Sequence, residues 1–310
     1  MSTSKRLPTT SDFPSSWTLT VSPRKFRTLP SWRDDDIHTL NRPFTASSCS
    51  GATDHVYITW DPAQPRTDSL SAPSSQRPTN ILILLHGLGD AHLPFAQLGT
   101  QMNLPETACI SIKAPEPLPF EASSFHWGDD VIFDNTVGTI DPDGGFKKVV
   151  PRLVKDIIED TLIKKCGYQP RELMLFGFGQ GGMVVLSIAG RFFQSRYTWT
   201  LLTHISVSME KELGGVISVG GPLPSEAAAS LSPKRKTPIL VCSGSDSPWV
   251  TSTAENKLKA VFESVQFNRY RRSGDTMPKS RDEMYPIMQF FARRLKSSAG
   301  VPAGSVELSA

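Results

Sequence analysis

The chain changes character near residue 80, where short apolar runs begin to alternate with segments of helical periodicity. Six runs are strand candidates, and those that are apolar at nearly every position predict strands covered on both faces, as in a parallel sheet. These runs cover residues 80–85, 108–112, 172–176, 215–219, 238–242 and 265–270. The alternation predicts a three-layer α/β domain, with a mostly parallel central sheet and helices on both faces.

Three helices are predicted from periodicity and from capping signals. Apolar residues recur at helical spacing over 146–162, and Pro151 within this stretch predicts that the helix starts beside it or kinks there. Ser252 and Ser280 each open a capping box, with Glu three residues later and apolar spacing beyond. Pro286 lies early in the last of these stretches, so we expect that helix to begin one turn late.

The composition divides the chain into three parts. Residues 1–54 are rich in Ser, Thr and Pro and lack sustained periodicity, which predicts an extension that is partly disordered or lies over the surface. The α/β domain is predicted over 55–297, with HVYITW at 55–60 as its first plausible strand and a polar loop at 64–79. Residues 298–310 are expected to form a flexible tail.

The overall charge and the cysteines exclude several classes of protein. A net charge of +3 with 20% charged residues is too balanced to indicate nucleic-acid or anionic-membrane binding. The 4 cysteines lie far apart without a C-x-x-C pair, so neither a disulfide framework nor a zinc site is indicated. The longest strongly apolar run, 81–85, is far too short to span a bilayer. No signal peptide is evident either, so we expect a cytoplasmic protein without a transmembrane segment.

The N-terminal extension leaves two interpretations open. Its aromatic residues Trp17, Phe26 and Trp32 lie among basic residues. They either pack back on their own domain, which is the commoner arrangement and the one we favour, or dock a partner protein. A transit peptide would share the basic, Ser-rich composition, but the prolines would break the amphipathic helix that such a peptide needs.

The stretch GFGQGG, which begins at Gly177, carries the first candidate chemistry and has three interpretations. It satisfies the G-x-G-x-x-G dinucleotide pattern, but no Asp or Glu occurs between Glu172 and Glu210 to bind a ribose hydroxyl. It is also consistent with a purely structural glycine turn. The third interpretation is a nucleophile elbow, G-x-S-x-G, in which Gly179 stands where serine is expected.

Several motifs, taken in order, resemble those of one enzyme family. The motifs are HGLGD (86–90), KAPEPLPF (113–120), LFGFGQGGM (175–183), LGGVISVGGPLP (213–224), ILVCSGSDSPWV (239–250) and DEMYPIMQFFARRL (282–295). From about residue 78 to residue 296 the chain resembles the acyl-protein thioesterase branch of the phospholipase/carboxylesterase family. The resemblance implies an α/β-hydrolase fold and the hydrolysis of thioesters or carboxylic esters, without a cofactor or a metal ion.

Matching the motifs position by position implies that all three catalytic residues are replaced. The nucleophile falls on Gly179, the acid on Ser247 and the histidine on Met277. Asp246 is one residue from the acid position, so a local shift would make it the acid. In an α/β-hydrolase the histidine follows the nucleophile and the acid along the chain. No histidine occurs beyond His204.

The remaining half of the site depends on backbone atoms. The resemblance places the two oxyanion-hole amides at Leu88 and Gln180, and the turn itself at Gly177 and Gly181. Backbone donors need no particular side chain and can persist after a triad is lost. We therefore expect a non-catalytic protein that binds an acyl chain, an ester or an acylated peptide.

An active esterase or thioesterase with a relocated nucleophile is the alternative. Ser243, Ser245 and Ser247 cluster with Asp246 near the expected acid position, and Asp275 lies in the loop that lacks its histidine. Serines that follow strands are more often turn formers than catalysts.

Overall fold

A computed structural model describes residues 5–22, 78–134, 138–191 and 212–297. The strands in these ranges are β1 (Leu19–Ser22), β2 (Asn80–Leu85), β3 (Thr107–Ile112), β4 (Glu116–Leu118), β5 (Glu121–His126), β6 (Ile132–Asp134), β7 (Thr139–Asp141), β8 (Leu173–Phe178), β9 (Gly215–Val219), β10 (Ile239–Ser243) and β11 (Val265–Arg269). The helices are α1 (His92–Gln101), α2 (Val149–Arg152), α3 (Gln180–Arg191), α4 (Ser252–Val261) and α5 (Arg281–Arg294), with a π-helix over Leu153–Lys165 and 3-10 turns at Thr10–Asp12 and Pro170–Glu172.

A central sheet of seven strands has the order β1-β3-β2-β8-β9-β10-β11. Its neighbouring strands pair in parallel, except that β1 runs antiparallel to β3 at one edge. The pairs β4–β5 and β6–β7 form two small antiparallel hairpins between β3 and α2. The mostly parallel sheet predicted from the apolar runs is confirmed.

The two faces of the sheet carry separate cores because side chains alternate along each strand. On β2, Ile81 and Ile83 belong to a cluster shared with α2, the π-helix, α3 and α4. Leu82 and Leu84 point the other way, into a cluster shared with α1 and α5. The carboxyl ends of the parallel strands meet at one edge of this sandwich, where the loops that follow β2, β8, β9, β10 and β11 can assemble a site.

The N-terminal residues 5–22 pack on the α/β domain, where β1 pairs with β3 at the edge of the central sheet. Trp17 is only 4% exposed, and its indole Nε1 donates to Asp156 Oδ2 at 3.2 Å. The Arg152 guanidinium lies 4.8 Å from the centre of the same ring. Packing on the domain is thus the correct interpretation for Trp17. Phe26, Trp32, the predicted strand at 55–60 and the tail at 298–310 lie outside the described residues.

The six predicted strands coincide with β2, β3, β8, β9, β10 and β11 to within two residues at each end. The helices differ more. The 146–162 helix begins at Val149 and continues as a π-helix, in which Cys166 N–H donates to Thr161 C=O at 2.9 Å. Ser280 caps α5 as predicted, but α5 starts at Arg281 and contains Pro286, so the expected late start is wrong.

The cap of α4 is Thr251, one residue before the predicted Ser252. Its hydroxyl accepts the Ala254 N–H at 3.3 Å. Two neighbouring hydroxyl residues offered the same chemistry, so the sequence alone did not distinguish them. Within the part of the chain that the structure describes, no helix combines the length and apolar character needed to cross a bilayer.

Candidate active site

The turn between β8 and α3 has the geometry expected of a nucleophile elbow. Gly179 separates Phe178 from Gln180 and has a φ of +50°, in the left-handed region that most side chains avoid. Its N–H donates to the Val219 carbonyl at 2.8 Å, which fixes the turn to the end of β9. Among the described residues, a Cβ added at Gly179 would meet only the Cα of Gly87, at 4.0 Å. A side chain at this position would therefore project into open space above the sheet.

The flanking glycines are required by close backbone contacts, unlike Gly179. A Cβ on Gly177 would lie 2.6 Å from the Gly182 nitrogen, and one on Gly181 would lie 2.5 Å from the Leu85 carbonyl oxygen. Both distances are well inside van der Waals contact with backbone atoms that cannot move aside. The sequence prediction that Gly177 and Gly181 form the elbow turn is consistent with this geometry.

The loop after β2 lies opposite the elbow. Gly89 N–H in this loop donates to the Phe125 carbonyl at 3.0 Å, and Asp90 N–H donates to the Gly87 carbonyl at 3.3 Å. These bonds hold the backbone on either side of Leu88. Gln180 opens α3, so its N–H has no acceptor within the helix. The two amides predicted for the oxyanion hole thus come from a constrained loop and from a helix N-terminus.

His86 precedes Gly87 in the loop that faces this turn, but both of its ring nitrogens are occupied. Nε2 accepts the Ala114 N–H at 2.9 Å, so Nδ1 carries the proton and donates to the Gly87 carbonyl at 2.7 Å. The Trp127 indole donates to the His86 carbonyl at 2.8 Å and its ring stacks at 5.2 Å. Burial lowers the pKa of His86 to about 4. His86 therefore holds loops together and is not available as a base.

The other described histidines are also poor bases. Burial lowers the pKa of His92 to about 4, and it lowers the pKa of His126 as well. His126 is only 5% exposed. The remaining histidines, His38, His55 and His204, lie outside the described residues. Within the described ranges, no imidazole contacts the elbow or the loop after β10 through a free ring nitrogen.

Ser247, at the predicted acid position, is bound to Asp275. Its Oγ donates to Asp275 Oδ2 at 2.6 Å and accepts the Val250 N–H at 2.9 Å. The other oxygen of Asp275, Oδ1, accepts the Gly244 N–H at 2.9 Å. The hydroxyl and the carboxylate thus join the loop after β10 to the loop after β11.

Asp275 also lies close to the elbow. A Cβ added to Gly220 would be 2.8 Å from the Asp275 Cβ, and Gly220 is the residue after Val219, whose carbonyl holds the Gly179 N–H. Gly220 has a φ of +72°, so the chain turns sharply here. The loops after β8, β9, β10 and β11 therefore converge at Asp275.

Met277 lies apart from this convergence, whereas Asp246 makes a further hydrogen bond between the loops after β10 and β11. Met277, the position matched to the histidine, packs against the apolar cluster shared with α1 and α5. Asp246, the predicted shifted acid, is exposed and accepts the Gly274 N–H at 2.9 Å. In the sequence, Asp275 was marked only by its place in the loop where the expected histidine is missing. The motif spacing matched the histidine to Met277 instead.

The Gln180 side chain connects the elbow to a neighbouring polar cavity. Its Oε1 accepts the Trp127 N–H at 2.7 Å. A cavity of about 370 Å³ adjoins Trp127 and is walled by charged side chains, among them Glu116, Asp130 and Lys148. Among the residues described, no group of three His, Cys, Asp or Glu side chains could hold a metal ion.

Comparison with known proteins identifies the family. A model of the phospholipase/carboxylesterase family matches residues 69–194. An uncharacterized hydrolase of Schizosaccharomyces pombe is 30% identical over 227 residues, which are 70% of this chain and 83% of that protein. A second uncharacterized hydrolase, from Mycosarcoma maydis, is 33% identical over 172 residues, covering 54% of this chain and 57% of that protein.

Solved structures support the same fold. The crystal structure of esterase PE8 superposes with a TM-score of 0.52 at 21% identity, and the match covers 72% of this chain and 97% of that one. At this identity the likeness concerns the fold, which is the α/β-hydrolase fold predicted from the sequence. With the family model and the S. pombe relative, it establishes that the chain belongs to the phospholipase/carboxylesterase family of α/β-hydrolases.

Proposed function

We propose that this chain is a non-catalytic member of its family, which binds an acyl chain, an ester or an acylated peptide over the elbow without hydrolysing it. The observation that carries the proposal is Gly179, which has the left-handed backbone of an elbow and open space where a nucleophilic side chain would project. Glycine adopts this backbone without strain, so loss of the serine leaves the turn intact.

The missing base supports the proposal independently. Histidine does not occur after residue 204, whereas the base of this fold follows both the nucleophile and the acid along the chain, beyond residue 247 here. Of the earlier histidines, His86 has both ring nitrogens engaged and a pKa of about 4. In serine hydrolases, loss of the triad lowers turnover by about 10⁶-fold and leaves about 10³-fold over water. Such residual hydrolysis would be negligible beside binding.

The groups that would hold an ester carbonyl and an acyl chain are retained. The amides of Leu88 and Gln180 belong to the constrained loop and to the start of α3, and neither depends on a side chain. The nearby surface is partly apolar: the Phe178 ring lies against Gly87 beside the Asp90 carboxylate, and Leu118 Cδ1 lies 3.8 Å from where a Cβ on Gly89 would be. An acyl chain would bury apolar area there at about 25 cal/mol per Å².

The ligand class follows from the motifs described above, which resemble those of acyl-protein thioesterases. A long acyl chain attached through a thioester or an ester is therefore the proposed ligand, and the cytoplasm the proposed location. An active hydrolase with a relocated nucleophile is the second candidate, and Ser247 is its best-placed hydroxyl. That hydroxyl is already committed to Asp275 and to the Val250 N–H.

Palmitate binding tests the proposed ligand class directly. Titration of the purified protein with palmitate, followed by calorimetry, should show saturable binding near one molecule per chain. Leu118→Asp should weaken it by at least about tenfold, because a charge would replace apolar wall at a cost of 1.4 kcal/mol or more. Tyr285→Asp, which changes an exposed residue of α5, serves as the matched control. Absence of saturable binding would refute the proposal.

A further inference from the structure

We propose that Asp275 occupies the position from which a catalytic base would act on this elbow. Ser247 and Asp275 thus stand in exchanged positions: the carboxylate is at the base position and a hydroxyl is at the acid position. This inference deepens the proposed function and rests on it. It also departs from the motif match, which assigned the histidine position to Met277.

Asp275 lies close to the elbow. The Val219 carbonyl accepts the Gly179 N–H at 2.8 Å, and the next residue, Gly220, has no Cβ to separate the chain from Asp275. Gly221 is equally close to the turn, since a Cβ on it would lie 2.8 Å from the Met183 nitrogen in α3. Along this path, the Val219 carbonyl and Gly220 are the groups that lie between the Gly179 turn and the Asp275 side chain.

A hydrogen bond joins positions 247 and 275. A catalytic acid accepts a hydrogen bond from the imidazole that it orients. Here the two positions are joined by a bond of 2.6 Å, but Ser247 donates and Asp275 accepts. The acidic group thus stands at the base position and the hydrogen-bond donor at the acid position. The exchange preserves the contact between the two loops and puts a carboxylate where the imidazole of a triad would stand.

Met277 lies in an apolar environment. Its side chain packs with Met284 and Met288 against the core on the α1 and α5 face. Its backbone carbonyl accepts Arg272 Nη2 at 3.0 Å. A histidine placed at 277 would enter an apolar cluster, whereas a histidine at 275 would begin from a position that already contacts residue 247.

Two triple variants test the assignment. Gly179→Ser/Ser247→Asp/Asp275→His restores serine, acid and base with the base at 275. The matched variant Gly179→Ser/Ser247→Asp/Met277→His differs only in the position of the histidine. Hydrolysis of a short-chain p-nitrophenyl ester and labelling by a fluorophosphonate probe are measured for both.

We expect the 275 variant to hydrolyse the ester at least about 100-fold faster than the unsubstituted chain, a small part of the roughly 10⁶-fold that an intact triad supplies. Its rate should rise with pH through about 6.5, the ordinary pKa of imidazole, which a structural role alone would not produce. The 277 variant should remain at background. Higher activity in the 277 variant, or background activity in both folded variants, would overturn the assignment.

The double variants Gly179→Ser/Asp275→His and Gly179→Ser/Met277→His cover the case in which a triple variant does not fold. They retain Ser247, and fluorophosphonate labelling should be at least about tenfold faster in the 275 double variant, since an oriented base contributes about 10²-fold or more. If the 275 variants alone fail to fold, the inference is also wrong, because it requires that position to accept an imidazole. Failure of the proposed function would appear separately, as turnover or absent palmitate binding in the unsubstituted chain.

Discussion

The Ser247 hydroxyl donates a hydrogen bond of 2.6 Å to the Asp275 carboxylate, and the same oxygen accepts the Val250 N–H at 2.9 Å. Ser247 is only 8% exposed, so its hydroxyl cannot exchange these partners freely for water. The bond joins the loops that follow β10 and β11 at the edge of the sheet where the elbow lies. It makes Ser247 a structural residue at a position that the family motif reserves for chemistry.

Replacement of Ser247 by alanine should destabilise the fold. The change removes a charge-assisted hydrogen bond and leaves the Val250 N–H without its acceptor, so we expect a loss of about 1.5–3 kcal/mol in the free energy of unfolding. Urea denaturation measures it. Ser245→Ala is the matched control, because Ser245 is exposed and its single hydroxyl bond, to the Arg272 carbonyl at 3.2 Å, is long. A Ser247 variant as stable as the Ser245 variant would contradict this account of the pair.

Alanine substitutions should separate the glycines of the elbow by their physical roles. Gly181→Ala would place a Cβ 2.5 Å from the Leu85 carbonyl oxygen, so we expect a loss of more than about 3 kcal/mol or failure to accumulate as folded protein. Gly179→Ala would meet no close atom, and its cost should be limited to about 1–2 kcal/mol for a left-handed φ. Thermal melts of both variants provide the comparison. Equal effects would show that the turn is not packed as described.

His86 should stabilise the fold only while it is neutral. Its pKa in the fold is about 4, below the ordinary value of 6.5, so the unfolded chain binds the proton more tightly. Stability from His86 is therefore complete above pH 6.5 and is lost as the pH falls from 6.5 towards 4, by about 3 kcal/mol in total.

An NMR titration of the His86 ring carbons measures this pKa directly. We expect a midpoint below pH 5 in the native protein and a midpoint near the ordinary value in the urea-unfolded chain. A native midpoint near 6.5 would show that the ring is open to water, and His86 would again become a candidate base.

Trp17 should contribute to the core of the domain although the composition around it predicts an extension. It is buried against the π-helix, so Trp17→Ala should cost about 3–5 kcal/mol in unfolding free energy. Trp249 is 41% exposed, and Trp249→Ala should cost less than about 1 kcal/mol. Chemical denaturation compares the two. Similar small effects would mean that the N-terminal segment docks weakly.

The sheet could be predicted from the sequence because its strands are buried on both faces. Runs such as 80–85 and 215–219 contain a single polar residue each, and short runs of this kind are typical of strands covered on both faces. Leu19–Ser22 escaped prediction because an edge strand in a Ser/Thr-rich segment is held by pairing with β3, a tertiary contact. The π-helix after Arg152 was also missed, since the spacing of its apolar residues is close to that of an α-helix.

The sequence predicted only those parts of the site that depend on the local backbone geometry. Gly177 and Gly181 form a turn whose contacts require glycine, and such a turn leaves a motif in the sequence. Asp275 lies in a loop without periodicity, and its contact with Ser247 joins residues 28 positions apart. In such a loop, motif spacing does not distinguish Asp275 from Met277, which lies two residues further along the chain.

Hydrolysis of a palmitoyl thioester by the unsubstituted chain tests the central claim most directly, with fluorophosphonate labelling measured beside it and Gly179→Ser as the companion variant. We expect neither turnover nor labelling in the unsubstituted chain, and the same result in Gly179→Ser, because a serine alone would still lack its base. Turnover by the unsubstituted chain in the usual enzyme range of about 1–10³ s⁻¹ would contradict the account.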